Sequence, residues 1–124
     1  MTVEIDKYNS HSVGEHEWGA VWADGRDPDA GGASHHYEVR GPDGEVYVSV
    51  RFQHGPRALD SSAQGALDEH LFMVSMDRLR AFQEGPFAHP SNERALAYVE
   101  AASSALRERA AERRARGVLG KNEK

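Results

Sequence analysis

Two copies of a Phe-Gln-x-Gly-Pro pattern hold most of the side chains in this sequence that are suited to binding a ligand. The first copy is Phe52-Gln53-His54-Gly55-Pro56, and the second is Phe82-Gln83-Glu84-Gly85-Pro86, followed by Phe87. Each copy puts an aromatic ring, an amide and a rigid Gly-Pro corner at the end of a predicted regular element. The first closes a predicted strand and the second a predicted helix.

The second copy has two interpretations. Phe82 and Phe87 flank the Gly-Pro corner, and Asn92 lies just inside the next predicted helix. Aromatic rings stack on purines, an Asn amide hydrogen-bonds base or ribose edges, and free N–H groups at a helix N-terminus suit a phosphate. Alternatively, Phe82 ends the apolar stripe of one helix and Asn92 caps the other. From residue physics alone, the second interpretation is preferred.

Catalysis and metal binding find less support. The chain has no cysteine, which excludes disulfides, thiol catalysis and thiolate metal sites. Seven histidines suggest a metal, but His35 and His36 are adjacent and on a strand point to opposite faces. No other histidine pair has metal-ligand spacing, and no nucleophile motif or phosphate-binding glycine loop is present. The sequence therefore predicts no metal site and gives an enzyme little support.

Composition bounds the class of protein. At 124 residues the chain has the size of one domain. Its apolar fraction of 39% and mean hydropathy of −0.70 are low, so we expect a partner subunit to supply part of the core. No apolar run approaches the ~20 residues of a membrane span, and the N-terminus lacks the pattern of a signal peptide. We expect a cytosolic protein with no membrane contact.

The net charge of −5 is unevenly distributed, with acids in excess over residues 1–50 and bases over residues 51–124. Arg109, Arg113 and Arg116 recur at i, i+4 and i+7, so they line one side of a predicted helix, beside Glu108 and Glu112. A solvated helix end favoured by the helix dipole explains this pattern too. The chain lacks the overall basicity of a DNA or RNA binder, so a small polyanion suits the cluster better than a duplex.

The elements that position these residues are a small sheet and a helical hairpin. Residues 17–57 are predicted to form an antiparallel sheet region, with a loop over the acidic, Gly-rich segment 24–32. Its clearest part is a β-hairpin of strands 36–40 and 45–52 around the corner Gly41-Pro42-Asp43-Gly44. We predict one α+β domain over residues 1–124, with 1–16 and 118–124 mobile.

Residues 64–117 are predicted to form a two-helix hairpin. The first helix spans 64–83 and ends at Gly85-Pro86, and the second begins with Ser91 as its N-cap and stops at Gly117. An apolar stripe is expected on the first helix and a stripe of small residues, suited to close packing, on the second. The second stripe comprises Leu96, Val99, Ala102, Ser103, Leu106 and Ala110.

These pieces, in this order and spacing, resemble the founding family of phage anti-Thoeris sponge proteins. The resemblance covers about two thirds of the chain, from His36 to Gly120. It is carried by both Phe-Gln-x-Gly-Pro copies and by three further pieces. Those pieces are Asp68-Glu69-His70-Leu71, Asn92-Glu93-Arg94-Ala95-Leu96 and Arg116-Gly117-Val118-Leu119-Gly120.

The resemblance implies a binding protein that is not an enzyme and has no cofactor. Such proteins form dimers and often hexamers in the host cytoplasm, and hold intact, between subunits, the glycocyclic ADP-ribose signal made by TIR-domain enzymes. By position, Phe82 stacks on the adenine and Asn92 hydrogen-bonds the ligand, with Phe87 and Arg57 nearby.

In some members a second pocket takes the cyclic trinucleotides of the CBASS defence, and here its positions are Arg109, Arg113, Arg116 and Lys121. Family members usually close with Arg-Gly-Val-Glu-Gly-Thr-His, whereas this chain has Leu119, Lys121 and Asn122 at the variable positions. With Ala110 also present, the hydroxyl donors expected around a trinucleotide phosphate are missing. The alternatives are a sponge for cyclic di- or trinucleotides and a structural oligomer without a small ligand.

Overall fold

Four antiparallel strands followed by two helices make up the computed structural model, which describes residues 10–54 and 64–117. The described residues divide into two compact units, a sheet unit up to residue 66 and a helical unit from residue 67. The predicted α+β class, with a sheet followed by a helical hairpin, is confirmed. Arg57, Lys121 and the predicted mobile segment 118–124 lie outside the described residues, as do residues 1–9.

The sheet has the strands in sequence order, each antiparallel to the next. The predicted hairpin is present, and a further strand precedes it within the predicted sheet region. The turn of the hairpin closes with hydrogen bonds from Gly41 N to Glu45 O (2.7 Å) and from Gly44 N to Gly41 O (2.9 Å). The strands are β1 (His11–His16), β2 (Gly19–Ala23), β3 (His36–Arg40) and β4 (Val46–Arg51).

β1 differs from the prediction, which begins the sheet at residue 17. Its sequence, HSVGEH, contains only one large apolar residue, Val13, so it has no alternating pattern. The strand is nevertheless held by backbone pairing to β2 at the edge of the sheet. At the start of β2, Gly19 allows the close approach to the end of β3, because a side chain there would collide with the carbonyl oxygen of Arg40.

The two faces of the sheet differ in what they bury, because polar side chains are buried on one face while valines on the other face remain accessible. His36 and Glu38 of β3 share one face and are buried; His36 Nε2 lies 2.7 Å from Ser49 Oγ, and Glu38 accepts two hydrogen bonds from Arg40. Val39 pairs with Val48 on the other face, and Val48 is 48% exposed. The apolar face of the hairpin therefore stays partly open to solvent.

The helical unit consists of α1 (Asp68–Glu84) and α2 (Pro90–Ala115), joined by a short turn. α1 begins four residues later than predicted because the preceding residues pair with the end of β4. Ala66 N donates to Arg51 O (2.7 Å), and Gln53 N donates to Ala66 O (2.9 Å). No helix within residues 10–54 and 64–117 has the length and apolarity to cross a bilayer.

The prediction of Ser91 as the N-cap of α2 is wrong. His89 is the N-cap, and its Nδ1 accepts a hydrogen bond from Ser91 N at 3.0 Å. Pro90 then occupies the first helical position, where its fixed φ suits the helix and its missing N–H costs nothing. α2 ends at Ala115, and Gly117, with φ of +76°, follows it as the sequence predicts.

Packing between the helices follows the predicted small-residue stripe of α2. Ser103 at its centre is buried, and the other five members are half-buried. On α1, Met76 is buried, whereas the apolar side chains of Leu71 and Val74 are exposed. Among the described residues, Met76 and Ala23 are the only buried apolar side chains.

Met76→Ala is expected to lower the free energy of unfolding by about 2–4 kcal/mol, because it removes most of a buried side chain and leaves a cavity. Met73→Ala is the matched control on the same helix, since Met73 is 55% exposed and Met76 only 7%. Urea unfolding followed by circular dichroism measures both. Equal destabilisation by the two substitutions would contradict the packing described here.

Candidate functional site

The turn between α1 and α2 brings together three of the predicted ligand-binding residues. Phe82 lies in the last turn of α1, Phe87 in the connection and Asn92 in the first turn of α2. Phe82 is 38% exposed and Phe87 73% exposed, so both rings present apolar surface to solvent. We call Phe82, Phe87 and Asn92, together with Arg78, the hairpin site.

Hydrogen bonds within the turn fix the backbone of the hairpin site. Asn92 Nδ2 donates to Phe87 O at 3.1 Å, and Gln83 Oε1 accepts from His89 N at 2.9 Å. Asn92 Oδ1 makes no hydrogen bond with the described residues and can accept one from a ligand. The Asn92 side chain therefore orients the Phe87 segment and does not cap α2.

The glutamines of the two Phe-Gln-x-Gly-Pro copies have the same structural role. Gln53 Oε1 accepts from Gly65 N at 3.2 Å, as Gln83 Oε1 accepts from His89 N. In each copy the amide oxygen thus accepts a hydrogen bond from a backbone N–H that follows the Gly-Pro pair in the sequence. Phe52 in the first copy packs edge-on against Tyr37, with ring centroids 5.5 Å apart. The first copy serves the junction after β4, and the second leaves its ring exposed.

Arg78 belongs to the hairpin site and was missed in the sequence. Its guanidinium carbon lies 5.4 Å from the centroid of the Phe82 ring, within the range of a cation–π contact. The spacing of Arg78 and Phe82 is i,i+4, which places two side chains on the same face of a helix, so the pair was detectable from the sequence. It supplies positive charge directly beside the exposed ring.

The N-terminus of α2 is less suited to a phosphate than the sequence suggests. Ser91 N donates to the His89 side chain, and Asn92 N and Glu93 N both donate to His89 O, at 3.0 and 3.2 Å. Glu93 also puts a negative charge in the first turn. We therefore expect anionic groups of a ligand at the hairpin site to bind Arg78 in preference to the N-terminus of α2.

The Arg cluster near the end of α2 is partly neutralised by Glu112, as its sequence position suggested. Arg109 Nη1 lies 2.7 Å from Glu112 Oε2, and Arg116 also pairs with the Glu112 carboxylate. Hydrogen bonds from Arg116, and then the charges of both arginines, hold the pKa of Glu112 below its usual range. Glu112 is thus ionised at neutral pH and competes with any added anion.

The Arg cluster and the hairpin site are separate places on one helix. Asn92 and Arg109 are 17 positions apart on α2, which corresponds to roughly 26 Å at the rise of an α-helix. One chain therefore cannot combine them into a single small-molecule pocket.

Comparison with known proteins agrees with the resemblance stated above. No protein-family model matches the chain. Thoeris anti-defense 1 of Bacillus phage SBSphiJ7 is 38% identical to it over 77 residues. This similarity supports membership of the Thoeris anti-defense 1 family. The match covers 62% of this chain and 54% of the phage protein, so it spans about half of that relative.

The side chain of Glu112 is expected to titrate below an ordinary glutamate when its carboxyl carbon is followed by NMR. Because the pKa of Glu112 is lower in the folded state, its pairing with arginine stabilises the fold at pH values above the unfolded-state pKa. This contribution to the free energy of unfolding is lost as the pH falls through the folded-state pKa. Arg116→Ala should raise the Glu112 midpoint. Arg114→Ala is the control, because Glu112 pairs with Arg109 and Arg116. An unchanged midpoint in Arg116→Ala would show that the pairing does not exist in solution.

Proposed function

We propose that this chain is a phage anti-defence protein that binds and sequesters glycocyclic ADP-ribose, the signal made by TIR-domain enzymes, without cleaving it. The observation that carries the proposal is the exposed Phe82 ring at the hairpin site, with Arg78 over it and Asn92 in the same turn. The name of the similar phage protein supports a role against the Thoeris defence.

The hairpin site offers each group that such a nucleotide needs. The adenine stacks on Phe82, either on the face opposite Arg78 or in place of the guanidinium. In both cases the Arg78 charge stays near the ring and faces the pyrophosphate. Asn92 Oδ1 accepts a hydrogen bond from the adenine amino group or a ribose hydroxyl. Stacking of a base on an aromatic side chain contributes about 1–3 kcal/mol.

A single turn is too shallow to enclose a nucleotide, so the proposal includes a second copy of the chain. Binding sites for small molecules commonly bury most of the ligand surface, whereas Phe87 is 73% exposed. Leu71, Met73 and Val74 form exposed apolar surface on α1. Such surface is typical of a protein interface. We propose a homo-oligomer, a dimer or a hexamer, with the nucleotide held between subunits.

Sequestration further requires tight binding and no turnover. A signal is removed from its receptor only when the Kd lies below the signal concentration, and a nanomolar Kd corresponds to about −12 kcal/mol. Stacking on Phe82, the hydrogen bond to the Asn92 amide and the nearby Arg78 charge give a nanomolar Kd most readily when the ligand is enclosed. None of these groups needs to act as a nucleophile.

Phe82→Leu is expected to weaken binding of glycocyclic ADP-ribose by roughly 5- to 140-fold, because it removes a stacking interaction of about 1–3 kcal/mol. Phe82→Tyr keeps the aromatic face and should bind within a few-fold of wild type. Isothermal titration calorimetry of the full chain measures both. If Phe82→Leu and Phe82→Tyr bind equally well, the base does not stack on this ring.

A calorimetric panel of cyclic ADP-ribose isomers and cyclic di- and trinucleotides separates the alternatives. If the Arg cluster binds a cyclic trinucleotide, Arg109→Ala and Arg113→Ala abolish that binding and Phe82→Leu does not. If the chain is a structural oligomer, no member of the panel gives heat. The proposed function predicts heat with a cyclic ADP-ribose isomer that depends on Phe82.

A further inference from the structure

Three side chains from separate segments of the sheet unit meet at one point. His35 Nε2 lies 3.0 Å from Asp27 Oδ2, and His54 Nε2 lies 3.1 Å from the same oxygen. The two imidazole rings are stacked, with centroids 3.9 Å apart and an interplanar angle of 11°. One donor atom from each residue lies within 4.8 Å of the others. We call Asp27, His35 and His54 the Asp-His-His cluster.

Backbone interactions hold the members of the cluster in place. Asp27 begins the short 3-10 helix Pro28–Ala30, and its Oδ1 accepts from Asp29 N at 2.9 Å, which leaves Oδ2 for the two imidazoles. Asp27 N donates to Ala33 O at 2.9 Å, so the loop closes on itself. Phe52 N donates to His35 O at 2.7 Å, which ties the end of β4 to the start of β3.

The arrangement has the composition and spacing of a transition-metal site. Tetrahedral zinc with bonds of about 2.0–2.1 Å separates neighbouring donors by roughly 3.3 Å. The observed separations of 3.0 and 3.1 Å from Asp27 Oδ2 need little adjustment to reach that value. Imidazole nitrogens favour zinc and its neighbours over Mg²⁺ or Ca²⁺. Two histidines and one carboxylate fill three positions and leave the fourth for water.

A hydrogen-bonded cluster without metal explains the two Nε2 contacts to Asp27. A metal ion would instead use all three donors, with the imidazoles tilted from their parallel stack so that both Nε2 lone pairs point at it. The side chains are also accessible, because His54 is 47% exposed and the other two about one fifth exposed.

We propose that the Asp-His-His cluster binds one divalent transition-metal ion, Zn²⁺ by its ligand set, and fastens the segment 24–33 to the strand ends at His35 and His54. The sequence predicts no metal site because these ligands lie 8 and 19 positions apart in three segments, which matches no spacing motif. The proposal concerns the sheet unit and is independent of the nucleotide at the hairpin site.

Calorimetry of the full chain, stripped with a chelator and dialysed, tests the site directly. Titration with ZnCl₂ is expected to show one ion per chain, and titration with MgCl₂ no heat. Co²⁺ in place of Zn²⁺ is expected to give the intense visible absorption of a four- or five-coordinate site. No zinc binding, or only the weak spectrum of octahedral Co²⁺, would overturn the proposal without any substitution.

Three variants assign the ion to these residues. Asp27→Asn keeps an Oδ1 acceptor for Asp29 N and removes the anionic ligand, and His35→Gln and His54→Ala each remove an imidazole. Each is expected to weaken zinc binding by roughly tenfold or more. His11→Ala, on β1, is the matched control and should bind as wild type does. Circular dichroism checks that each variant is folded. Equal zinc affinity in folded His54→Ala and wild type would contradict the assignment.

Discussion

Burial of apolar surface is the constraint on which this structure depends. Only Ala23 and Met76 among the described apolar residues are buried, while Leu71 and Val74 on α1 and Val48 on β4 remain largely accessible. A chain of this size already buries a modest fraction of its surface. In the proposed homo-oligomer, association with a second copy would cover such faces and stabilise the folded state by mass action. Under that proposal, the same assembly provides both the stability of the fold and the enclosure of the ligand.

Local sequence signals predict the parts of the fold that depend on neighbouring residues. The β3–β4 hairpin follows from a Pro-Asp-Gly corner between alternating residues, and the packed stripe of α2 follows from its helical period. Local sequence signals do not predict elements whose position depends on segments that are distant in the chain. β1 is held by backbone pairing without an apolar pattern, and α1 starts late because Ala66 pairs with Arg51 and Gln53. At α2 the failure is local, because the side chain of His89, two residues before Ser91, caps the helix in place of the expected Ser91.

The same distinction separates the two candidate sites. Phe82, Phe87 and Asn92 lie within eleven residues, so their proximity follows from the helix–turn–helix order, and Arg78 is detectable by its i,i+4 spacing to Phe82. The Asp-His-His cluster depends on tertiary pairing of a loop with two strand ends, which no spacing rule describes. The repeated Phe-Gln-x-Gly-Pro pattern shows both cases. Its glutamines have local structural roles, and its two rings have different surroundings.

Native mass spectrometry of the full chain mixed with glycocyclic ADP-ribose tests the central claim most directly. The proposed sequestration predicts an oligomer whose mass increases by that of the intact nucleotide, and recovery of the same nucleotide, uncleaved, after the protein is denatured. An oligomer that gains no mass, or a ligand recovered as cleavage products, would contradict the account.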